Sequence, residues 1–137
     1  MTPMHELESE ALAANSEFYR AFNAGDFAAM QALWAEERPI ACLHPGQPLL
    51  FGREAVLQAW RQILAQQPSF ELRGDEPRVQ LLGDTAIVYC YEAGGDEPAH
   101  LAATNVFVRE RSAWRMVHHH AGPLSTPRPA RRSSDLN

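Results

Sequence analysis

The sequence contains no lysine, only two cysteines and no long uninterrupted run of apolar residues. A helix that crosses a bilayer needs about 20 consecutive, mainly apolar residues, so no stretch predicts a membrane span. A small secreted scaffold would use more disulfides. Cys42 and Cys90 each lie within an apolar run, so we expect buried free thiols, with a disulfide as the less favoured alternative. Glu6, Glu8 and Glu10 stand where a signal peptide carries its apolar segment. We therefore expect a cytoplasmic protein.

Further absences exclude several classes of function. All 12 basic residues are arginine, and the 17 acidic residues leave a formal net charge of −5. A nucleic-acid-binding face needs clustered positive charge, so we expect no nucleic-acid partner. The chain has no glycine-rich phosphate loop, no cysteine pair at zinc spacing and no nucleophile elbow. The sequence therefore predicts no cofactor.

Three amphipathic segments predict helices in the first half of the chain. Gly25 can adopt the left-handed conformation that ends a helix, and Asp26 is the expected N-cap of a short second helix. A third helix is predicted from about residue 53 to residue 67, where Pro68 ends it. In the first helix the apolar residues recur at helical spacing: Leu7, Ala11, Ala14, Phe18 and Phe22.

The remaining elements are predicted strands. A short one spans residues 40–44, before a Pro45-Gly46 turn. Two more cover residues 70–73 and 79–82, and a Gly83-Asp84 turn leads into residues 86–91. The long hairpin of residues 100–122 has two arms rich in β-branched and aromatic residues. Side chains alternate along a strand, so the second arm should present Trp114, Met116, His118 and His120 on one face.

Composition separates the chain into two parts. Residues 1–122 have the length and pattern of one domain. Residues 123–137 contain proline, serine and arginine with little apolar content, which predicts a disordered tail. Helices followed by consecutive strands predict an α+β domain with its helices on one side of a curved sheet.

The order of elements and several local motifs resemble the nuclear transport factor 2-like superfamily, and within it the bacterial SnoaL-like branch. The motifs lie at residues 18–26, 42–46, 52–56 and 114–120, and the resemblance covers about residues 5–122. It implies a cone-shaped roll, also called cystatin-like, in which three N-terminal helices pack on a strongly curved antiparallel β-sheet. Activity stays open, because this fold carries enzymes and non-enzymes alike.

Ketosteroid isomerases of that superfamily offer a comparison residue by residue. Their catalytic tyrosine falls at Phe18, with Tyr19 one position away from that face. Their general base, an aspartate, falls at or near His44, and their oxyanion-hole aspartic acid falls near Asn105. None of the three is retained, so the resemblance argues against steroid isomerase chemistry. A histidine base and an asparagine donor would still be chemically competent.

Three histidines are candidate catalytic residues. His44 is expected at the open mouth of the cone, where it could act as a general base or bond to the backbone of the following turn. His118 and His120 could relay protons, or could complete a metal site with His44 that leaves one position open. No acidic residue stands near them in sequence to orient metal ligands. We therefore predict no metal, and the alternative is that these two histidines line the inner face.

The large aromatic residues are candidates for the wall of an apolar pocket, although aromatics at such spacing are equally typical of a core. Asn105 lies in the middle of an apolar strand, and a buried amide must find partners. We interpret it as a ligand contact, with an internal network as the alternative. The predicted pocket residues are Phe18, Tyr19, Trp34, Phe51, Trp60, Tyr89, Tyr91 and Phe107.

These observations favour a small-molecule-binding protein with an apolar pocket inside the cone, with turnover left open. The first alternative is a cofactor-independent acid–base enzyme, such as a dehydratase, isomerase or cyclase. In it His44 is the base, Asn105 and a tyrosine are donors, and His118 or His120 relays the proton. The second alternative is a non-catalytic dimerisation module like the association-domain members of the superfamily. We expect a homodimer through an apolar outer sheet face formed by Thr104, Val106, Val108 and Val117.

Overall fold

The computed structural model describes residues 2–66 and 70–129. Within them, helices pack on one side of a six-stranded sheet with the order β2-β1-β6-β5-β4-β3. The predicted α+β class is confirmed, but the sheet is mixed rather than antiparallel because β1 pairs parallel with β6. The elements are α1 (Met4–Ala24), α2 (Phe27–Leu33), β1 (Ala41–Leu43), β2 (Leu50–Phe51), α3 (Arg53–Gln66), β3 (Leu72–Leu82), β4 (Thr85–Gly94), β5 (Ala99–Glu110) and β6 (Ala113–Arg128).

The helix boundaries follow the local sequence signals. Gly25 ends α1 with a φ of 62°, a conformation that glycine adopts without steric cost. Asp26 caps α2, because its Oδ1 accepts a hydrogen bond of 3.0 Å from the amide of Ala29. Both predictions are confirmed. The predicted end of the third helix at residue 67 lies outside the described residues.

One long strand, β3, replaces the two short strands predicted for residues 70–73 and 79–82. Its pairing with β4 is irregular between Asp75 and Arg78, and Glu76 has a φ of 52°. Pro77 has no amide hydrogen to donate to a ladder. The irregularity takes up this residue, so one strand continues past it.

A second irregularity, in the β5–β6 hairpin, changes which histidine faces inward. Val106 pairs with His118 while Phe107 pairs with Met116, so Val117 has no counterpart on β5. One additional residue in a strand reverses the alternation of all residues after it. His119 therefore points to the helices, and the prediction that His118 shares a face with Met116 is wrong.

The end of β6 corrects the predicted tail. Leu101 pairs with Pro123 and Ala99 pairs with Arg128, so residues 123–128 are strand rather than disordered. Arg128 also donates two hydrogen bonds, of 2.8 and 3.0 Å, to the carboxylate of Glu76. The long β5 supplies these backbone partners, which outweigh the low apolar content of the segment. Residues 130–137 lie outside the described residues.

The core lies between the helices and the inner sheet face. Its largest fully buried side chains include Trp34, Phe18 and Phe107. Cys42 and Cys90 are both buried and free, as predicted. In the described residues, every helix is too short or too polar to cross a bilayer.

Candidate functional site

An apolar cavity of about 210 Å³ lies inside the cone. We call it the inner cavity. Helix α1 contributes Phe18 and Phe22 to its lining, and α3 contributes Trp60 and Ile63. The sheet and the segment that follows β1 add the three titratable side chains of the lining, which are His44, Glu92 and His119.

Glu92 is the residue of this cavity that the sequence predictions missed. It lies on β4 and its exposed fraction is only 5%. Its Oε2 accepts a hydrogen bond of 2.7 Å from the hydroxyl of Tyr19. Burial raises the pKa of the Glu92 carboxyl, and the hydrogen bond from Tyr19 partly opposes this increase. In the described part of the chain no ion pair involves Glu92, so no positive charge compensates the effect of burial on this pKa.

A sequence signal for Glu92 was present in the alternation of β4. Ala86, Val88, Cys90 and Glu92 occupy every second position of the strand and all are buried. The predicted strand, residues 86–91, ended one position before Glu92 and therefore left this residue out.

A buried hydrogen-bond network continues from Tyr19 to the other end of the cavity. The Asn105 amide nitrogen donates to Asn15 Oδ1 at 2.8 Å and to Tyr19 Oη at 3.3 Å. Asn105 Oδ1 lies 2.6 Å from His119 Nδ1. Asn105 is fully buried and its amide is occupied by these partners. The structure therefore supports the internal network rather than the ligand contact that we favoured from sequence.

This network also selects the tautomer of His119. Asn105 Oδ1 is an acceptor, so His119 Nδ1 must donate, and Nε2 carries the lone pair. His119 is 3% exposed. Burial, and then the neighbouring His44, His118 and His120, lower the pKa of His119 to about 3. The ring is therefore neutral at pH 7, with Nε2 as a hydrogen-bond acceptor.

His44 lines the inner cavity, as the resemblance implied. Its ring centroid lies 4.8 Å from that of Trp60 and 6.1 Å from that of His119. Its Nε2 lies 3.5 Å from Cys42 Sγ. Burial lowers the pKa of His44 and raises the pKa of the Cys42 thiol to about 12. Cys42 therefore stays a thiol and can donate weakly to His44.

The other two predicted catalytic histidines lie elsewhere. His118 and His120 are on the outer sheet face, with ring centroids 6.3 Å apart, and neither lines the inner cavity. The bulge at Val117 accounts for this placement. Residues 2–66 and 70–129 contain no group of three or more histidine, cysteine, aspartate or glutamate side chains that could hold a metal ion.

The predicted aromatic lining is also corrected. Of the eight residues, Phe18 and Trp60 line the inner cavity, and Tyr19 reaches it through its hydrogen bond to Glu92. Trp34 and Phe107 are fully buried in the core. Three others point to solvent or to the outer sheet face, because they occupy outward positions of their strands: Phe51, Tyr89 and Tyr91.

A larger depression, of about 510 Å³, lies between α1 and β3. Several of its polar residues already bond to neighbouring groups. Arg20 donates to Glu17 at 2.6 Å, and Asn23 exchanges hydrogen bonds with the backbone of Leu72. We place the candidate site in the inner cavity, where a buried carboxyl and two imidazoles meet an apolar wall.

Comparisons with known proteins agree with this architecture. A family model of the SnoaL-like domain matches residues 11–126. A candidate dehydratase of the NTF2-like family from Streptomyces avermitilis is 32% identical, with a TM-score of 0.79, and the match covers 91% of this chain and 100% of that one. A candidate calcium/calmodulin-dependent protein kinase type II association domain from Thiobacillus denitrificans is 40% identical, with a TM-score of 0.72 and coverage of 82% and 94%.

A plant protein shares the same region. The F-box protein SKIP8 of Arabidopsis thaliana is 27% identical over 113 residues, which are 82% of this chain and 49% of the plant protein. The chain thus spans about half the length of this curated relative. The family match covers most of the chain and fits the observed fold. The protein therefore belongs to the SnoaL-like family of the nuclear transport factor 2-like superfamily.

Proposed function

We propose that this SnoaL-like protein binds a small, largely apolar molecule, with one polar group, in the inner cavity. The observation that carries the proposal is the meeting of Glu92, His44 and His119 in an otherwise apolar lining. Small-molecule sites are typically apolar concavities in which a few polar groups fix the orientation of the ligand.

Two groups of this lining can exchange hydrogen bonds with a ligand. His119 Nε2 carries a lone pair and can accept from a ligand hydroxyl. The Glu92 carboxyl can bind a hydroxyl or a carbonyl group. These groups favour a ligand with a hydroxyl or carbonyl group, and the Trp60 ring in the same lining would contact its apolar part.

Binding can be tested by NMR with cyclohexanone as the probe. We expect the indole N–H signal of Trp60 to shift as the probe is added. Trp34 and Trp114 provide internal controls, because Trp34 is core and the Trp114 indole already donates to the backbone oxygen of Leu7 at 3.1 Å. Equal shifts of all three signals, or none, would contradict the proposal.

A second candidate function is acid–base catalysis in the same cavity. The specific observation is that a carboxyl and an imidazole line this cavity together, and that burial raises the pKa of Glu92 and lowers that of His44. Titratable groups with shifted pKa values in one cavity are typical of acid–base sites. Glu92 would donate the proton, and His44, the base predicted from sequence, would accept one. His119, whose pKa is lowered to about 3, would instead accept a hydrogen bond from the substrate.

We also propose a homodimer through the outer sheet face. Ile87, Tyr89, Thr104 and Val106 form neighbouring cross-strand pairs on that face, and Tyr89 is 43% exposed. The similarity to a candidate association domain supports this assembly. Val108, which we had included, is only 7% exposed within one chain and contributes little.

A further inference from the structure

An apolar groove of about 320 Å³ adjoins the inner cavity. We call it the outer groove. Ala93, Gly94 and Pro98 belong to its lining and not to that of the inner cavity. Four residues line both spaces: Phe70, Leu72, Glu92 and Leu101. The two spaces therefore adjoin each other, and one buried carboxyl belongs to both linings.

The position of Glu92 at this junction limits where the polar group of a ligand can lie. A molecule confined to the inner cavity would bring one end to Glu92. A molecule that occupies both spaces would place its middle there, with an apolar part on each side. The other three residues that line both spaces, Phe70, Leu72 and Leu101, are apolar.

The neighbourhood of Glu92 also favours a neutral polar group. Its hydrogen-bond partner is the hydroxyl of Tyr19, and burial raises the pKa of Tyr19 well above its usual value, so this hydroxyl stays protonated. A ligand carboxylate would meet a buried acid and no arginine in the described lining of either space. Burying such an unpaired charge is costly. A hydroxyl or carbonyl group can exchange a hydrogen bond with Glu92 without that cost.

We propose that the ligand is an elongated apolar molecule with a neutral hydroxyl or carbonyl group at an internal position. Glu92 binds that group, one apolar arm fills the inner cavity and the other lies in the outer groove. This inference rests on the small-molecule binding proposed above and adds the class and orientation of the ligand.

The test is a set of matched ketones titrated by NMR or calorimetry. Pentan-3-one carries a central carbonyl on short arms, nonan-5-one extends both arms, and nonan-2-one moves the carbonyl to one end. Each buried methylene strengthens binding about two- to fourfold, so nonan-5-one should bind at least about tenfold more tightly than pentan-3-one. It should also bind about fivefold more tightly than nonan-2-one, the equivalent of one hydrogen bond.

One variant distinguishes binding in the outer groove from binding in the inner cavity. Pro98→Asp places a charge in the outer groove alone. It should therefore weaken the binding of nonan-5-one at least about fivefold and leave the affinity for pentan-3-one unchanged. Leu49→Asp is the matched control, because Leu49 is exposed and lines neither space. Unchanged binding of pentan-3-one also reports that the Pro98→Asp protein is folded.

The outcomes distinguish this inference from the function on which it rests. Equal affinities for pentan-3-one and nonan-5-one would overturn the elongated ligand and leave the inner cavity as a binding site. Tighter binding of nonan-5-amine than of nonan-5-one at pH 7 would overturn the neutral group and indicate an ammonium ligand. Absence of binding by all of these probes would overturn the proposed function as well.

Discussion

Tyr19 on α1 donates a hydrogen bond of 2.7 Å to the Glu92 carboxylate on β4, 73 positions later in the chain. The same hydroxyl lies 3.1 Å from Cys90 Sγ and accepts from the Asn105 amide at 3.3 Å. One side chain thus connects the acid of the candidate site to the network that orients its histidine. The first helix and the inner sheet face cannot separate without breaking these bonds.

We predict that Tyr19→Phe destabilises the protein by about 1–3 kcal/mol, because Glu92 loses its donor inside the protein. Chemical unfolding at pH 7 measures this change. Tyr91→Phe is the matched control: it keeps the ring that packs against Arg128, and no hydrogen bond of the Tyr91 hydroxyl is present among the described residues, so its loss should cost less than about 0.5 kcal/mol. An equal decrease in the free energy of unfolding for the two variants would show that the hydrogen bond from Tyr19 to Glu92 does not stabilise the protein.

We predict that His119 makes the fold sensitive to acid. Its pKa is lowered to about 3 in the folded protein, against about 6.5 in an unfolded chain. The unfolded state therefore binds more protons between these values, and stability is lost as the pH falls below about 6.5. The free energy of unfolding should therefore be lower at pH 5 than at pH 7.

The variant His119→Gln should show a smaller decrease over the same pH range, since glutamine does not titrate. His5→Gln is the control, because His5 is exposed on α1 and lies outside the inner cavity. Chemical unfolding at pH 7 and pH 5 compares the three proteins. A pH dependence of His119→Gln equal to that of wild type would assign the acid sensitivity to other groups.

The helices and turns were predictable because their signals are local. The spacing of apolar residues in α1, the left-handed position of Gly25 and the cap by Asp26 each depend on a few neighbouring residues. The placement of His44 at the cavity depended on the family resemblance, since a single histidine after a short strand does not identify a site.

The details of the candidate site were not predictable, because they depend on pairing between distant segments. Because Val117 has no partner on β5, His119 rather than His118 points to the inner cavity. No local sequence signal marks that bulge. Glu92 is buried by its contact with Tyr19 on another element, so its own strand does not reveal the partner.

The acid–base alternative predicts that Glu92 and His44 are both needed for turnover. A suitable probe is 3-hydroxycyclohexanone. In its dehydration the His44 imidazole would take a proton from the carbon next to the carbonyl, and Glu92 would protonate the departing hydroxyl. The C–O bond breaks, a C=C bond forms and water leaves, and proton exchange with water then resets both groups. Absorbance of the enone product measures the rate.

Glu92→Gln keeps the shape of the side chain but has no carboxyl proton, and His44→Gln has no imidazole. Each should lower the rate of dehydration about 100-fold or more, which is the usual contribution of general acid–base catalysis. Glu97→Gln is the control, since Glu97 lines the outer groove but not the inner cavity. No enone from the wild-type protein, or equal rates in all variants, would leave binding as the supported function.

The proposed dimer predicts that a charge on the outer sheet face changes the mass of the protein in solution. On that face Tyr89 has two cross-strand partners, Thr104 on β5 and Arg78 on β3. Tyr89→Glu would place a charged carboxylate in the interface in place of an aromatic ring, so we expect light scattering to change from the dimer mass to that of one 15.3 kDa chain.

Phe51→Glu is the matched control for this prediction. Phe51 is 71% exposed on β2, at the edge of the sheet opposite to β3, so a charge there should leave the dimer intact. A wild-type protein that is monomeric at micromolar concentration would contradict the assembly. A dimer that tolerates Tyr89→Glu but not Phe51→Glu would instead place the interface at the β2 edge.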